Sequence, residues 1–145
     1  MMNLLRIASI VLLATIASPA WSIDSGPASR DIVNSHLDAH NAHDIEGVLK
    51  TLADSVEMRV LNPNGGKEFH ANVDRNQQRS QFETAFRVNP KSSFQIISEI
   101  VSPSTVIVYE TGKGFPDGNS GHGITLYRVS NGKISAIWIL DHDSK

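Results

Sequence analysis

Three histidines, His36, His40 and His43, fall within a single short stretch of the chain. An imidazole titrates near neutral pH, can give or take a hydrogen bond, and binds metal ions. Such a cluster can therefore serve proton transfer, ligand binding or metal chemistry. On a helical wheel of roughly 100° per residue with Ile32 at zero, His43, His36 and His40 fall near 20°, 40° and 80°. Val33 and Leu37 follow at about 100° and 140° on the same wheel. The histidines thus sit inside the apolar stripe and not on the solvent face.

Three readings of the stripe compete. The histidines can be core-edge side chains, each with a hydrogen-bond partner. They can grip a ligand or move a proton in a cavity, with His36 as the acid–base group and His40 beside it. Alternatively His36 and His40, four residues apart, can share a metal ion. The sequence holds no His-Glu-x-x-His motif and no evident second ligand cluster, so no metal and no cofactor is assigned.

Two carboxylates could assist. Glu110 follows the run Val106-Ile107-Val108-Tyr109, is the only charge in that stretch, and faces either the cavity or a solvated outer face. A carboxylate in an apolar setting tends to have a raised pKa and can act as acid or base. Asp141-His142-Asp143 reads either as a solvated chain end or, with the last strand fully paired, as the place from which Asp141 orients His36 or His40. Strand alternation puts Val108 and Glu110 on one face, with Thr125 and Tyr127 beside them and Ile137, Ile139 and Asp141 on the last strand. Met58, Val60 and Asn62 on and just beyond the first strand complete the expected ligand-lining set. His70 and His122 are expected in loops at a cavity mouth. Arg75 and Arg79, one helical turn apart, read either as a solvated face or as an anion pair.

The elements that must position these residues follow from local signals. Ser29 can cap a helix over 30–42, and Asp44 a second one carrying Ile45, Val48, Leu49 and Leu52. Residues 55–61 alternate as a strand, 62–66 form a turn, and 67–70 can return as a short strand. Residues 74–87 predict a helix with a narrow apolar face at Phe82, Ala85 and Phe86, stopped by Asn89-Pro90. Strands are expected over 92–101, 105–113, 121–129 and 133–141. Asn131-Gly132 is the strongest hairpin signal. Helices first and an antiparallel meander last imply an α+β fold. It is expected as a cone-shaped α+β barrel, a curved antiparallel sheet packed on about three helices and enclosing a pocket.

The chain has 145 residues, which bounds it to one domain. Residues 1–22 read as a secretory signal peptide: Arg6, an apolar run over 7–17, then Ala20-Trp21-Ser22 with cleavage after Ser22. Eleven residues span about 16 Å as a helix, roughly half a bilayer core, so a retained anchor fits less well. Membrane contact is then expected only through this peptide, and residues 23–145 form one domain in the periplasm or outside the cell. The chain has no cysteine, which excludes disulfides and thiolate sites. A net charge of −2 gives no electrostatic case for nucleic acid.

The run His40-Asn41-Ala42-His43-Asp44-Ile45-Glu46-Gly47-Val48-Leu49, followed by Leu52-Ala53-Asp54, resembles the opening of the nuclear transport factor 2-like superfamily. That superfamily includes ketosteroid isomerases and SnoaL-like cyclases. Tyr127-Arg128-Val129, a turn, and Gly132-Lys133-Ile134 agree with its closing strands. The resemblance implies the cone-shaped fold over essentially all of 23–145. Ketosteroid isomerases pair a tyrosine and a protonated aspartate as oxyanion donors with an aspartate base, a case described generally for that enzyme. Aligned on Asn41, the tyrosine position falls on His36, the buried aspartate on Thr125, and the base near Val60 or Asn62. No carboxylate stands at the base position, so steroid isomerisation by that route is not expected.

Two functions are therefore carried forward. One is an exported small-molecule enzyme of the isomerase, cyclase or dehydratase kind acting on a small carbonyl compound. The other is a non-catalytic ligand-binding or assembly domain of the same fold. Trp138 and Leu140 on the opposite sheet face predict a homodimer through that face.

Overall fold

The computed structural model describes residues 29–61, 68–116, 118 and 120–143, the last three by their backbone alone. Asn62 and residues 1–28 lie outside the described residues, so the proposed signal peptide and one expected ligand contact do too. Along the chain run α1 (Ser29–Asn41), α2 (Ile45–Thr51), β1 (Leu52–Leu61), β2 (Phe69–Asp74), α3 (Arg75–Val88), β3 (Ser93–Val101), β4 (Thr105–Lys113), β5 (Gly121–Ser130) and β6 (Lys133–Asp143).

Local chemistry explains the boundaries. Asp44 caps α2 by accepting the Gly47 N–H at 3.0 Å. A Cβ on Gly47 would lie 2.5 Å from that same carboxylate, so a larger residue there would make the Asp44 side chain shift. Asp74 and Gln77 form a reciprocal capping box at the start of α3. Asn131 and Gly132 both take positive φ, 51° and 69°, as the tight turn between β5 and β6 demands. The returning strand β2 runs later and longer than the expected 67–70, because Val73 turns inward against Val56.

The six strands form one curved, open sheet in the order β2-β1-β6-β5-β4-β3. The α+β class stands, and α1 lies across the inner face, touching β3, β4, β5 and β6. The expectation of an all-antiparallel sheet needs one correction, since β1 and β6 run parallel. The last strand enters between the first strand and the meander.

Two bulges in β6 set which side chains face inward. Ser135 is an extra residue opposite the Arg128–Val129 step, so Ile134 and Ile137 both reach the core. Asp141 is the extra residue opposite the Gly123–Ile124 step. A bulge re-aims the strand locally. Simple alternation from Ile139 therefore does not fix where Asp141 points, and its side chain lies outside the described residues.

The core gathers Ile32, Val33 and Leu37 of α1 with Val48, Val56, Val106, Val108, Tyr127 and Ile134. Val33, Val48, Val106, Val108 and Ile134 are fully shielded from water. Burial of side chains of this size contributes about 1.5–3 kcal/mol each. The α1 stripe is thereby fixed against the sheet.

Candidate functional site

The inner face of the sheet brings Glu110, Thr125 and Tyr127 onto neighbouring strands. Across neighbouring strands Val106 pairs with Tyr127 and Val108 with Thr125, while Tyr127 pairs with Ile137 and Thr125 with Ile139. Ile137 and Ile139 in turn pair with Met58 and Val60 of β1. These rungs make a continuous floor beneath α1. Met58 and Ile139 pack against the core from its edge.

Glu110 lies on this floor and is 8% exposed. Its Oε1 accepts the Thr125 hydroxyl at 2.7 Å. Burial, and the nearby charge of Glu110, push the Tyr127 phenol well above its usual range. Tyr127 is therefore a permanent O–H donor at ordinary pH. Of the two faces open to Glu110, it takes the inner one.

His36 approaches the same floor from α1 and is 4% exposed. Its ring meets Tyr127 edge-on at 5.9 Å between centroids, and Phe82 of α3 at 6.2 Å. Nδ1 stands 2.9 Å from the Thr51 hydroxyl at the end of α2. Burial, and then the neighbouring His40, push its pKa down to about 3. The imidazole is neutral across the physiological range.

His40 sits one turn further along, boxed edge-on by Phe82, Phe86 and Phe94 at 5.9, 5.0 and 5.1 Å. Its pKa is lowered to about 4, first by burial and then by His43. Its Nδ1 is buried and has no hydrogen-bond partner among the described residues. His43 departs from the wheel, because α1 ends at Asn41 and His43 turns into the left-handed region at φ 53°. It stacks on Phe86 at 4.7 Å, and its Nε2–H donates to the Ser92 carbonyl at 3.2 Å. The core-edge reading thus describes His36 and His43 with their partners, while His40 is held by aromatic edges.

Other residues are placed differently from expectation. His70 is in β2, 3.3 Å from Glu57, and His122 is in β5, stacked on Tyr109 at 5.7 Å. Neither is a loop residue, since both carry ladder pairings. Arg75 donates to the carbonyls of Leu49 and Leu52 and to Asp54 at 2.8 Å, so it pins α3 to the α2–β1 junction. Arg79 pairs with Glu46 at 2.6 Å. Among the described residues no group of three or more histidine, aspartate or glutamate side chains could hold a metal ion.

Thr51 was missed by sequence reasoning. A β-branched hydroxyl in the last turn of a helix often bonds a carbonyl of the preceding turn, and nothing in its spacing ties it to a histidine fifteen positions earlier. Phe94 was also missed, because its wall is built by the fold: Asn41 of α1 bonds both its N–H, at 2.7 Å, and its carbonyl, at 2.8 Å.

Comparison with solved structures places the fold. An uncharacterised cystatin-fold protein from Novosphingobium aromaticivorans superposes with a TM-score of 0.67 at 18% identity, covering 80% of this chain and 100% of its own. A nuclear transport factor 2-like protein of unknown function from Cytophaga hutchinsonii gives 0.63 at 16% identity, with 83% and 95% covered. The RV0760c protein from Mycobacterium tuberculosis, solved in complex with estradiol-17beta-hemisuccinate, gives 0.61 at 21% identity, with 76% and 90% covered. No curated protein matches the chain. The family model for the SnoaL-like domain matches residues 33–137, from the α1 stripe to the inner residue of β6, and the chain belongs to the SnoaL-like domain family.

Proposed function

We propose that the inner face binds a small, mainly apolar molecule carrying an oxygen function, and that Glu110 exchanges a proton with it. The observation that carries this reading is the buried Glu110 carboxylate, oriented by Thr125 and set beside Tyr127. Met58, Val60, Val108, Ile137 and Ile139 supply an apolar floor of matching rungs. Tyr127 donates to the ligand oxygen while Glu110 takes or returns the proton. Asp141, at the end of the same strand as Ile137 and Ile139, is the second carboxylate we assign to this chemistry. The SnoaL-like fold hosts several such reactions, so the fold alone names none of them.

Incubating the protein with a panel of small cyclic ketones in deuterated water tests this reading. Proton abstraction beside a carbonyl appears as deuterium incorporation by NMR, with no need to know the product. Glu110→Gln should keep the fold and lower exchange at least about 100-fold. No exchange on any ketone that binds would overturn the catalytic reading.

A second reading, binding without turnover, is favoured by one observation. His36, with its pKa near 3, is too weak a base to take a proton from a carbon acid at neutral pH. On that reading the ligand binds and leaves unchanged, and estradiol-17beta-hemisuccinate is a probe for calorimetry because a structural relative was solved with it.

We further propose that the protein is exported through residues 1–22 and works in the periplasm or outside the cell as a homodimer. The outer sheet face supports a second copy: Ile107 and Leu126 form one rung with Trp138, and Tyr109, Ile124 and Leu140 form the next. Tyr109 and Ile124 are well exposed. Trp138 itself is half-buried between the Arg59 and Arg128 guanidinium groups, at 4.9 and 5.2 Å.

A further inference from the structure

We propose that Thr51 is a positioning residue that fixes which nitrogen of His36 carries the proton, so that the pocket meets its ligand with an acceptor nitrogen and selects a hydroxyl or N–H donor. This rests on the ligand-binding reading above, but its first half concerns the protein alone.

The Thr51 hydroxyl lies 2.6 Å from the Val48 carbonyl oxygen and 2.9 Å from His36 Nδ1. A carbonyl can only accept, so the single hydroxyl proton must point to Val48. Thr51 Oγ1 is then an acceptor toward His36, and Nδ1 must carry the proton. In a neutral imidazole one nitrogen donates and the other accepts. Nε2, at the end of the ring away from its own backbone, is left as the acceptor. Burial keeps the ring neutral, so a second proton does not erase the distinction.

The surroundings of Nε2 do not reverse the choice. The ring is flanked edge-on by Tyr127 and Phe82. Among the described residues its one hydrogen bond is the one to Thr51. The remaining titratable neighbour on α1, His40, faces three phenylalanine rings. The tautomer is thus set from α2, which packs against α1.

The consequence is a polarity opposite to that of an oxyanion site. A tyrosine or a protonated carboxyl at this place would donate to a carbonyl oxygen. An imidazole held as Nδ1–H instead accepts from the ligand. Tyr127 still donates nearby, so the ligand best matched carries a hydroxyl against His36 and an acceptor oxygen against Tyr127.

The tautomer can be read directly by two-bond proton–nitrogen correlation NMR on protein labelled at histidine. Wild type should show the Nδ1–H form at His36. Thr51→Val, close in shape, should release the ring to the Nε2–H form or a mixture, and Thr51→Ser should restore wild-type behaviour. The ligand half uses two probes, estradiol-17beta-hemisuccinate and its 3-deoxy counterpart, which lacks the phenolic hydroxyl. Wild type should favour the phenol by about tenfold, one good hydrogen bond, and Thr51→Val should bring the ratio within about twofold. An Nε2–H form in wild type, or an unchanged tautomer in Thr51→Val with Thr51→Ser folded, overturns the positioning role. Equal affinity for both probes in wild type overturns the selection. Binding of neither probe counts against the pocket reading, and the NMR result then decides the role of Thr51 by itself.

Discussion

At the scale of residues, the proposed chemistry falls on Glu110 and not on His36. Glu110 keeps a hydroxyl partner and a charge-sensitive neighbour, Tyr127, whereas His36 is neutral. Activity, where found, should therefore fall with Glu110→Gln far more than with His36→Gln, and the ratio of the two rates measures the division. The buried histidines also make stability depend on pH. Their folded pKa values, about 3 for His36 and about 4 for His40, lie below the ordinary value of 6.5. The unfolded chain then binds protons that the folded chain refuses. Stability is fully present above about pH 6.5 and falls as pH drops toward 4 and then 3, by on the order of several kcal/mol in all. Urea titrations from pH 7.5 to 4.5 should show the midpoint falling, and His40→Phe should flatten the slope.

The wheel made the inward face of His36 and His40 legible, because a regular helix carries its neighbours at fixed angles. It could not place His43, since a single left-handed residue ends the period. Glu110, Thr125 and Tyr127 were legible because β4 and β5 pair without interruption from Thr105 to Gly112. Asp141 was not, because a bulge in β6 resets the alternation that its assignment relied on. Thr51 was invisible for a different reason: its partner is brought to it by the packing of α1 on α2.

At the scale of elements, α1 is held from both ends. Ser29 donates to the Ser102 carbonyl at 2.7 Å at one end, and Asn41 clasps Phe94 at the other. Asn41→Ala should free the start of β3, remove one wall of the His40 box and cost about 1–2 kcal/mol. Hydrogen exchange at the Phe94 amide is the local check, since that N–H would lose its acceptor. The capping box of α3 is worth about 1 kcal/mol by the usual value of such caps, and Asp74→Ala in chemical denaturation measures it. Both changes lie away from Glu110, so any proton exchange should survive them.

For the whole molecule, the proposed homodimer rests on the outer face. Its central rungs are apolar and Trp138 is clasped by two arginines. Ile124→Glu places a charge in the middle of that face without touching the inner floor. Sedimentation at micromolar concentration should show a dimer in wild type and a monomer in the variant. A monomer in both would remove the homodimer proposal and leave the pocket untouched. Among the described residues no helix is long and apolar enough to cross a membrane. Detection of the mature domain outside the cytoplasm, cut after Ser22, is the measurement that checks export.

The parallel pairing of β1 with β6 carries a consequence for how the chain comes to be folded. Until Lys133–Asp143 exists, β2 with β1 and the β3–β4–β5 meander are two separate half-sheets. Neither half owns the floor that α1 needs. The strand that joins them is the last of the six to leave the ribosome, and its contact with Leu52 and Met58 spans most of the domain. Pairings of such long sequence separation form slowly. The domain therefore stays open during synthesis and closes only once its joining strand has been made.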